Sequence, residues 1–158
     1  MSEVQIYVEL DDCDPCEIER LWAIHLDENL YCIHNVPFIT YKYQYGDMVS
    51  VEWDARREMY RVLKTVAKSN RFETRFIVDE NASETELKDI LRTVGEYDCV
   101  LADGSDRWYS VSLAPEVDIE KFEETLLKYV ENGVLTYDGD PFDERENFLR
   151  LKDGRTKT

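Results

Sequence analysis

Long apolar runs are missing from this chain of 158 residues. No stretch reaches the roughly 18 consecutive apolar residues that predict a membrane-spanning helix, so we expect none. The opening residues Met1-Ser2-Glu3 are not followed by the apolar segment of a secretory signal. We therefore expect a cytoplasmic protein.

Basic side chains are scarce as well, with 19 Lys and Arg against 35 Asp and Glu, a net charge of −16. Both halves of the chain are acidic. Binding to nucleic acid or to an anionic membrane depends on Lys and Arg, and the composition argues against both. A basic protein partner would instead be attracted. A solvated acidic surface that only keeps the protein soluble is the alternative interpretation.

Histidine and cysteine are few: two His and four Cys. Cys13-Asp14-Pro15-Cys16 has the C-x-x-C spacing of redox and zinc sites, but no second C-x-x-C accompanies it. A redox role would also need a helix directly after the pair, where the sequence favours a strand. We expect ordinary reduced cysteines, no metal and no cofactor. If a metal were bound, the candidate ligands would be Cys13, Cys16, Cys32 and His34.

The strongest pattern fills the second half of the chain. Phe72 to Val78 alternate apolar with polar and charged side chains, which predicts a half-buried strand. Ser83 and Glu86 form a capping box at the start of an amphipathic helix. Gly95 follows the last apolar residue, and we expect it to be the left-handed residue that ends this helix.

A hairpin and a second helix follow. Apolar residues at 97–102 and an alternating run at 108–113 predict its two strands. Asp118 is the predicted N-cap of the second helix, which Asn132-Gly133 ends before a last strand at 134–137. This βαββαβ order predicts a four-stranded antiparallel sheet with both helices on one face, the ferredoxin-like arrangement.

The first half reads as short strands separated by turns. We interpret residues 59–67 as a strand because β-formers dominate that segment. The predicted fold class is α+β, with a small N-terminal β-sheet or barrel packed on a C-terminal ferredoxin-like βαββαβ unit. The expected boundaries are a β-rich subdomain at 1–69, the βαββαβ subdomain at 70–138, and a turn, short helix and frayed tail at 139–158.

Three short motifs carry a resemblance to a known family. They are Glu19-x-x-Trp22, Asn35-x-Pro37-Phe38 and Gly46-Asp47-x-Val49. At these spacings they are similar to the bacterial family catalogued as domain of unknown function 4265, over most of the chain. That family brings no established activity and no catalytic residues. The resemblance therefore implies only the two-part, β-rich plus βαββαβ architecture.

Charge and size predict a non-enzymatic protein-binding module. Immunity proteins and antitoxins that neutralise a basic, nuclease-like toxin cover its active site with carboxylates that mimic phosphates, and this chain has a comparable charge and size. The residues expected to contact such a partner are acidic, with one tyrosine. They are Asp118, Glu124, Glu131, Asp138, Asp140, Asp143, Glu144 and Tyr137.

The alternative hypothesis is a small-molecule-binding or enzymatic domain with its site between the two subdomains. Its expected residues are Trp22, His25, His34 and Asp47. His25 and His34 are near the ends of adjacent predicted strands and could form an acid–base pair, or be ordinary strand histidines. Several aromatic residues could line a pocket or a protein-binding face, or could simply pack on a sheet. These are Tyr41, Tyr43, Tyr45, Trp22 and Trp53.

Overall fold

The computed structural model describes residues 2–10 and 17–138, which form a mixed α+β protein made mostly of strands. The chain divides into two compact units, one up to Arg71 and one from Phe72. Among the residues described, the first contains five strands, and the second contains four strands and two helices. Cys13, Cys16 and the whole segment 139–158, with its expected helix, lie outside the described residues.

The first unit is a closed five-stranded barrel. Each strand pairs antiparallel with the next, and the first pairs parallel with the fifth through Ile6 with Tyr60 and Tyr7 with Arg61. The strand expected at 59–67 is confirmed. The strands are β1 Glu3–Glu9, β2 Ile18–Asp27, β3 Leu30–Ile33, β4 Met48–Asp54 and β5 Met59–Ala67.

Alternate residues of these strands fill the barrel. Ile6, Leu21, Ala23, Ile33 and Val49 are fully buried at its centre. Each of the larger aliphatic side chains among them contributes about 1.5–3 kcal/mol on burial, so the interior of the barrel is its main source of stability.

The second unit has the element order strand, helix, strand, strand, helix, strand. Its strands form one antiparallel sheet in the order β7-β8-β6-β9. The elements are β6 Phe72–Val78, α1 Glu84–Gly95, β7 Cys99–Asp103, β8 Trp108–Leu113, α2 Ile119–Glu131 and β9 Leu135–Tyr137.

The helix starts follow the sequence signals, but one helix end does not. The Ser83–Glu86 capping box and the Asp118 N-cap are both present. The expectation for Gly95 is wrong: it is the last residue of α1, and Glu96 caps the helix in a right-handed conformation. The Glu96 N–H donates to carbonyls of the last turn, so α1 needs no left-handed residue there. Neither described helix is long and apolar enough to cross a membrane.

Strand β6 is buried on one face and, up to Ile77, on the other as well, so the expectation of a half-buried strand is wrong for most of its length. One face contributes Phe72 and Phe76 to the core beneath the helices. The other face carries Glu73 and Arg75, which are buried although charged. Alternation of polar and apolar residues reports which side chains share a face, but not whether the polar face reaches water.

The β7–β8 turn holds three consecutive residues, Ser105, Asp106 and Arg107, at positive φ. The left-handed conformation is unfavourable for residues other than glycine. The Arg107 guanidinium offsets this conformational cost by donating hydrogen bonds to the carbonyls of Asp79 (2.8 Å) and Ala82 (2.7 Å), which precede α1. This side chain therefore ties the turn to the start of the helix.

Candidate functional site

A loop of residues 34–47, which we call the cap loop, connects β3 to β4 and belongs to the barrel unit. It contains no strand. Its Val36 is buried, and its Tyr43 joins the same core cluster as the inward residues of the strands. The loop therefore closes part of the barrel interior with its own side chains.

A buried carboxylate holds the cap loop in place. Glu19 accepts hydrogen bonds from the backbone N–H groups of Phe38 (2.7 Å), Ile39 (3.2 Å) and Thr40 (2.8 Å). Glu19 lies in β2 on the same side as Leu21, which points into the barrel. Three successive backbone donors satisfy the charge of this carboxylate, so its role is to organise the loop.

A second buried carboxylate closes the other end of the loop. Asp47 accepts from the backbone N–H groups of Gln44 (3.0 Å) and Ser69 (2.8 Å). Gly46, just before it, has a φ of +85°, which favours glycine. Asp47 was a candidate pocket residue, but its carboxylate oxygens already accept hydrogen bonds from backbone N–H groups.

The outer wall of the barrel next to the loop holds Trp22 and His34. The backbone N–H of Trp22 donates to the side-chain oxygen of Asn35 (2.6 Å), and the backbone N–H of His34 donates to the Trp22 carbonyl (2.8 Å). The Trp22 indole is 45% exposed. His34 lies 3.5 Å from a carboxylate oxygen of Glu3. These two candidate residues are neighbours.

His25 is not part of that group. It pairs across the sheet with Tyr31, whose ring lies inside the barrel 4.8 Å from the imidazole, whereas His34 and Trp22 lie outside. His25 Nε2 is 2.8 Å from the Glu28 carbonyl, and because a carbonyl only accepts, the histidine donates. His25 and His34, which could have formed an acid–base pair, are therefore held apart.

Metal-ligating side chains do not converge within residues 2–10 and 17–138, where no group of three such residues comes together. Cys32 is a free thiol, and burial raises its pKa, with the Asp47 carboxylate raising it further. A raised pKa keeps the group as the unreactive thiol. The candidate ligands Cys13 and Cys16 lie outside the part of the chain described.

The tyrosines of the cap loop do not form one face. Tyr43 is buried in the core, while Tyr41 is exposed. Tyr45 is half-buried, between the His34 ring at 5.7 Å and the Arg71 guanidinium at 5.2 Å. Alternation in the sequence suggested a shared surface, but the irregular backbone of the loop gives each tyrosine a different environment.

Helix α2 places two of the predicted partner-binding residues on one exposed stripe. Glu124 and Glu131 are exposed, and Glu120 and Leu127 lie on the same side at helical spacing. Leu127 is 49% exposed, which leaves an apolar side chain among carboxylates. Asp118 precedes this stripe as the N-cap and accepts from the Lys121 N–H (3.2 Å).

The remaining predicted contacts continue from α2 into the last strand. Tyr137 is half-buried in β9, and Asp138 is exposed with its N–H donating to the Arg75 carbonyl (2.9 Å). Asp140, Asp143 and Glu144 lie outside the described residues.

Comparison with known proteins bears on the motifs that build the cap loop. The family model described as a domain of unknown function, DUF4265, matches residues 19–137. The chain belongs to this family. The resemblance expected from the three motifs is thereby confirmed, and Glu19, Asn35, Gly46 and Asp47 of those motifs are the residues that hold the loop.

One solved structure similar to this chain is a hypothetical protein from Neisseria gonorrhoeae, with a TM-score of 0.71 and 16% sequence identity. The match covers 87% of this chain and 94% of that one. At this identity the likeness concerns the fold alone. No curated protein matches the chain.

Proposed function

We propose that this DUF4265 member is an acidic, non-enzymatic protein-binding module of the cytoplasm. In this proposal it acts as an immunity or antitoxin protein that neutralises a basic, nuclease-like toxin by covering its active site. The observation that carries the proposal is the exposed stripe of α2, where Glu120, Glu124 and Glu131 surround Leu127.

The chemistry of that stripe supports a basic partner. Carboxylates on one exposed helix face attract Lys and Arg and speed association, while a central apolar side chain supplies a contact that excludes water. Within the described chain, Glu120, Glu124 and Glu131 make no ion pair shown by the structure. The exposed Lys121 and Lys128 lie beside the stripe and offset part of its charge, and its carboxylates are accessible to a partner. The net charge of −16 extends the same attraction to long range.

We also propose that the second unit has the ferredoxin-like arrangement. The βαββαβ element order and the fully antiparallel sheet support this assignment. Because α2 is a regular helix of 13 residues with a satisfied N-cap, it is a rigid platform for the acidic stripe.

The alternative of a small-molecule-binding or enzymatic domain has less support. Of its four residues, only Trp22 and His34 are neighbours, while Asp47 is engaged by backbone donors and His25 lies elsewhere. No nucleophile is paired with a histidine among the side chains that the structure describes.

The test is capture from lysate of the native host at low and high salt, with bound proteins identified by mass spectrometry. We expect a stoichiometric basic protein that dissociates as salt rises and whose nuclease activity the purified chain inhibits. The variant Glu124→Lys/Glu131→Lys should lose this partner. The control Glu80→Lys/Asp98→Lys makes the same charge change at exposed positions of the same unit and should retain it. A partner that binds all three proteins equally well would overturn the proposal.

A further inference from the structure

Four aromatic rings form a continuous row at the end of the barrel where the β2–β3 and β4–β5 turns lie. His25 contacts Tyr31 with ring centroids 4.8 Å apart, Tyr31 contacts Tyr60 at 5.3 Å, and Tyr60 contacts Trp53 at 5.1 Å. Each outer ring is also a cross-strand partner of its neighbour in the row. We call these four residues the aromatic row.

The row is buried in the middle and open at its ends. Tyr31 is in the core, whereas His25 is exposed and Trp53 is 54% exposed. Trp53 lies on the same side of β4 as Val49 and Val51, which point into the barrel. An inward position is normally covered, so an indole this exposed indicates an end of the barrel that the described chain does not close.

Carboxylates give this end a negative charge. The Asn29 carbonyl accepts from the backbone N–H of Val51 (3.0 Å), so the β2–β3 turn, which also holds Asp27 and Glu28, meets β4 two residues before Trp53. In the β4–β5 turn, the positive charges of Arg56 and Arg57 balance the negative charges of Asp54 and Glu58. The acidic β2–β3 turn therefore makes the net charge of this end negative.

The molecule already uses the same chemistry internally. The Arg57 guanidinium lies 5.0 Å from the centre of the Tyr7 ring, and the Arg71 guanidinium lies 5.2 Å from that of Tyr45. The negative face of an aromatic ring attracts such cations, and Trp attracts them best. Trp53, by contrast, has an edge-on contact with Tyr60 and more than half of its surface open.

We infer that the aromatic row binds an organic cation, a guanidinium or alkylammonium group, against the exposed indole of Trp53 and beside the carboxylates of Asp27 and Glu28. Tyr60 holds the indole from one side, and the acidic turn favours a positive ligand over a neutral one. This site goes beyond the proposed function, since it lies in the barrel unit and needs no toxin partner.

The test is an NMR titration of the full chain that follows the indole N–H signals of the tryptophans and the ring signals of Tyr60. The probes are tetramethylammonium chloride and argininamide chloride, with sodium chloride at equal ionic strength and a neutral oligosaccharide as controls. We expect a saturating shift of the Trp53 and Tyr60 signals with both cations. Trp22, which is 45% exposed on the outer wall, should not shift in this way.

Variants separate the site from general surface effects. Trp53→Ala should abolish saturation, Trp53→Phe should retain part of it, and Glu28→Gln should weaken it several-fold. Trp22→Ala should bind like the unmodified chain. Unchanged Trp22 and Trp108 signals in Trp53→Ala will show that the fold is intact.

Two results would overturn the inference. One is a Trp53 shift no larger than that of Trp22, and the other is saturation with the oligosaccharide but not with the cations. A Gly-Arg-Gly peptide distinguishes the source of the cation. If the peptide binds more tightly than argininamide, the site recognises an arginine side chain of a protein. If the two bind equally well, the site recognises the guanidinium group alone. Neither result would contradict the proposed role of α2 in binding a basic protein. A failed capture experiment would likewise not contradict cation binding at Trp53.

Discussion

The Glu19 carboxylate lies 2.7 Å from the backbone nitrogen of Phe38, a residue 19 positions further along the chain. A side chain thus takes the place that a neighbouring strand would occupy for the loop backbone. Buried N–H groups need such partners. The cap loop depends on this one carboxylate for three of its donors.

Replacing Glu19 by Gln should destabilise the barrel unit. The amide retains the shape but removes the charge and one acceptor, so we expect a loss of about 1.5–3 kcal/mol in the free energy of unfolding. Urea denaturation measures it. Glu17→Gln, at an exposed position two residues earlier, should change stability by less than about 0.5 kcal/mol. Equal effects of the two variants would show that the carboxylate does not hold the loop.

Three glycines should respond differently to alanine. In Gly46→Ala the new Cβ would lie 3.1 Å from the Ser69 Cβ, at a position with a φ of +85°. We therefore expect the free energy of unfolding to fall by more than about 1–2 kcal/mol. Gly133→Ala has the positive φ but open space, and should lose about 1–2 kcal/mol. Gly95→Ala has neither constraint and should gain about 0.5–1 kcal/mol. Thermal unfolding of the three proteins tests this order, and a loss at Gly95 would contradict it.

The helices were predictable because their signals are local. Ser83, Glu86 and Asp118 act on residues within one turn, so neighbours in sequence decide the outcome. Gly95 shows the limit of such signals, since hydrogen bonds of the last turn already satisfied the helix end.

The cap loop and the aromatic row were less predictable because they depend on distant residues. The sequence marked the role of Glu19 only by an acidic residue at an inward position of β2. Its hydrogen-bond partners in the cap loop are about 20 residues away. Tyr31 and Tyr60 come together only when the barrel closes. The sequence indicated Tyr60 as a β-former, and nothing local marked it as a neighbour of Trp53.

The Tyr7–Asp54 hydrogen bond should make stability depend on pH in the acid range. The Tyr7 hydroxyl donates to Asp54 at 2.5 Å and, with Arg57 and nearby backbone donors, lowers the pKa of that carboxyl. A carboxyl with a lowered pKa in the folded state stabilises the fold above its unfolded pKa, near 3.9. That contribution is lost as the pH falls through the folded pKa.

Tyr7→Phe should therefore raise the pKa of Asp54, which an NMR titration of the carboxyl carbon would show. The difference in unfolding free energy between Tyr7→Phe and the unmodified protein should be largest at neutral pH and should shrink on acidification. Asp54→Asn should remove the same pH-dependent part. A difference that stays constant from neutral to acid pH would exclude this linkage.

The Arg107 guanidinium should contribute more to stability than that of Arg92. Arg107 donates to two backbone carbonyls and its side chain is 21% exposed, whereas Arg92 pairs with carboxylates at 66% exposure. We expect Arg107→Met to lose about 1.5–3 kcal/mol, whereas Arg92→Met should change stability much less, because solvent screens an exposed ion pair. Amide hydrogen exchange at residues 79–84 should quicken only in Arg107→Met. Similar exchange in both variants would argue against a tie between turn and helix.

The barrel is closed by two residue pairs, Ile6 with Tyr60 and Tyr7 with Arg61. These partners are 54 residues apart, and pairing of such long range is slow to form because the intervening chain must first be ordered. On the ribosome, β1 emerges early and must wait for β5 before its second edge is paired. An unpaired edge strand can pair with other chains. The first unit should therefore be most prone to aggregation during synthesis, before residue 61 has left the exit tunnel.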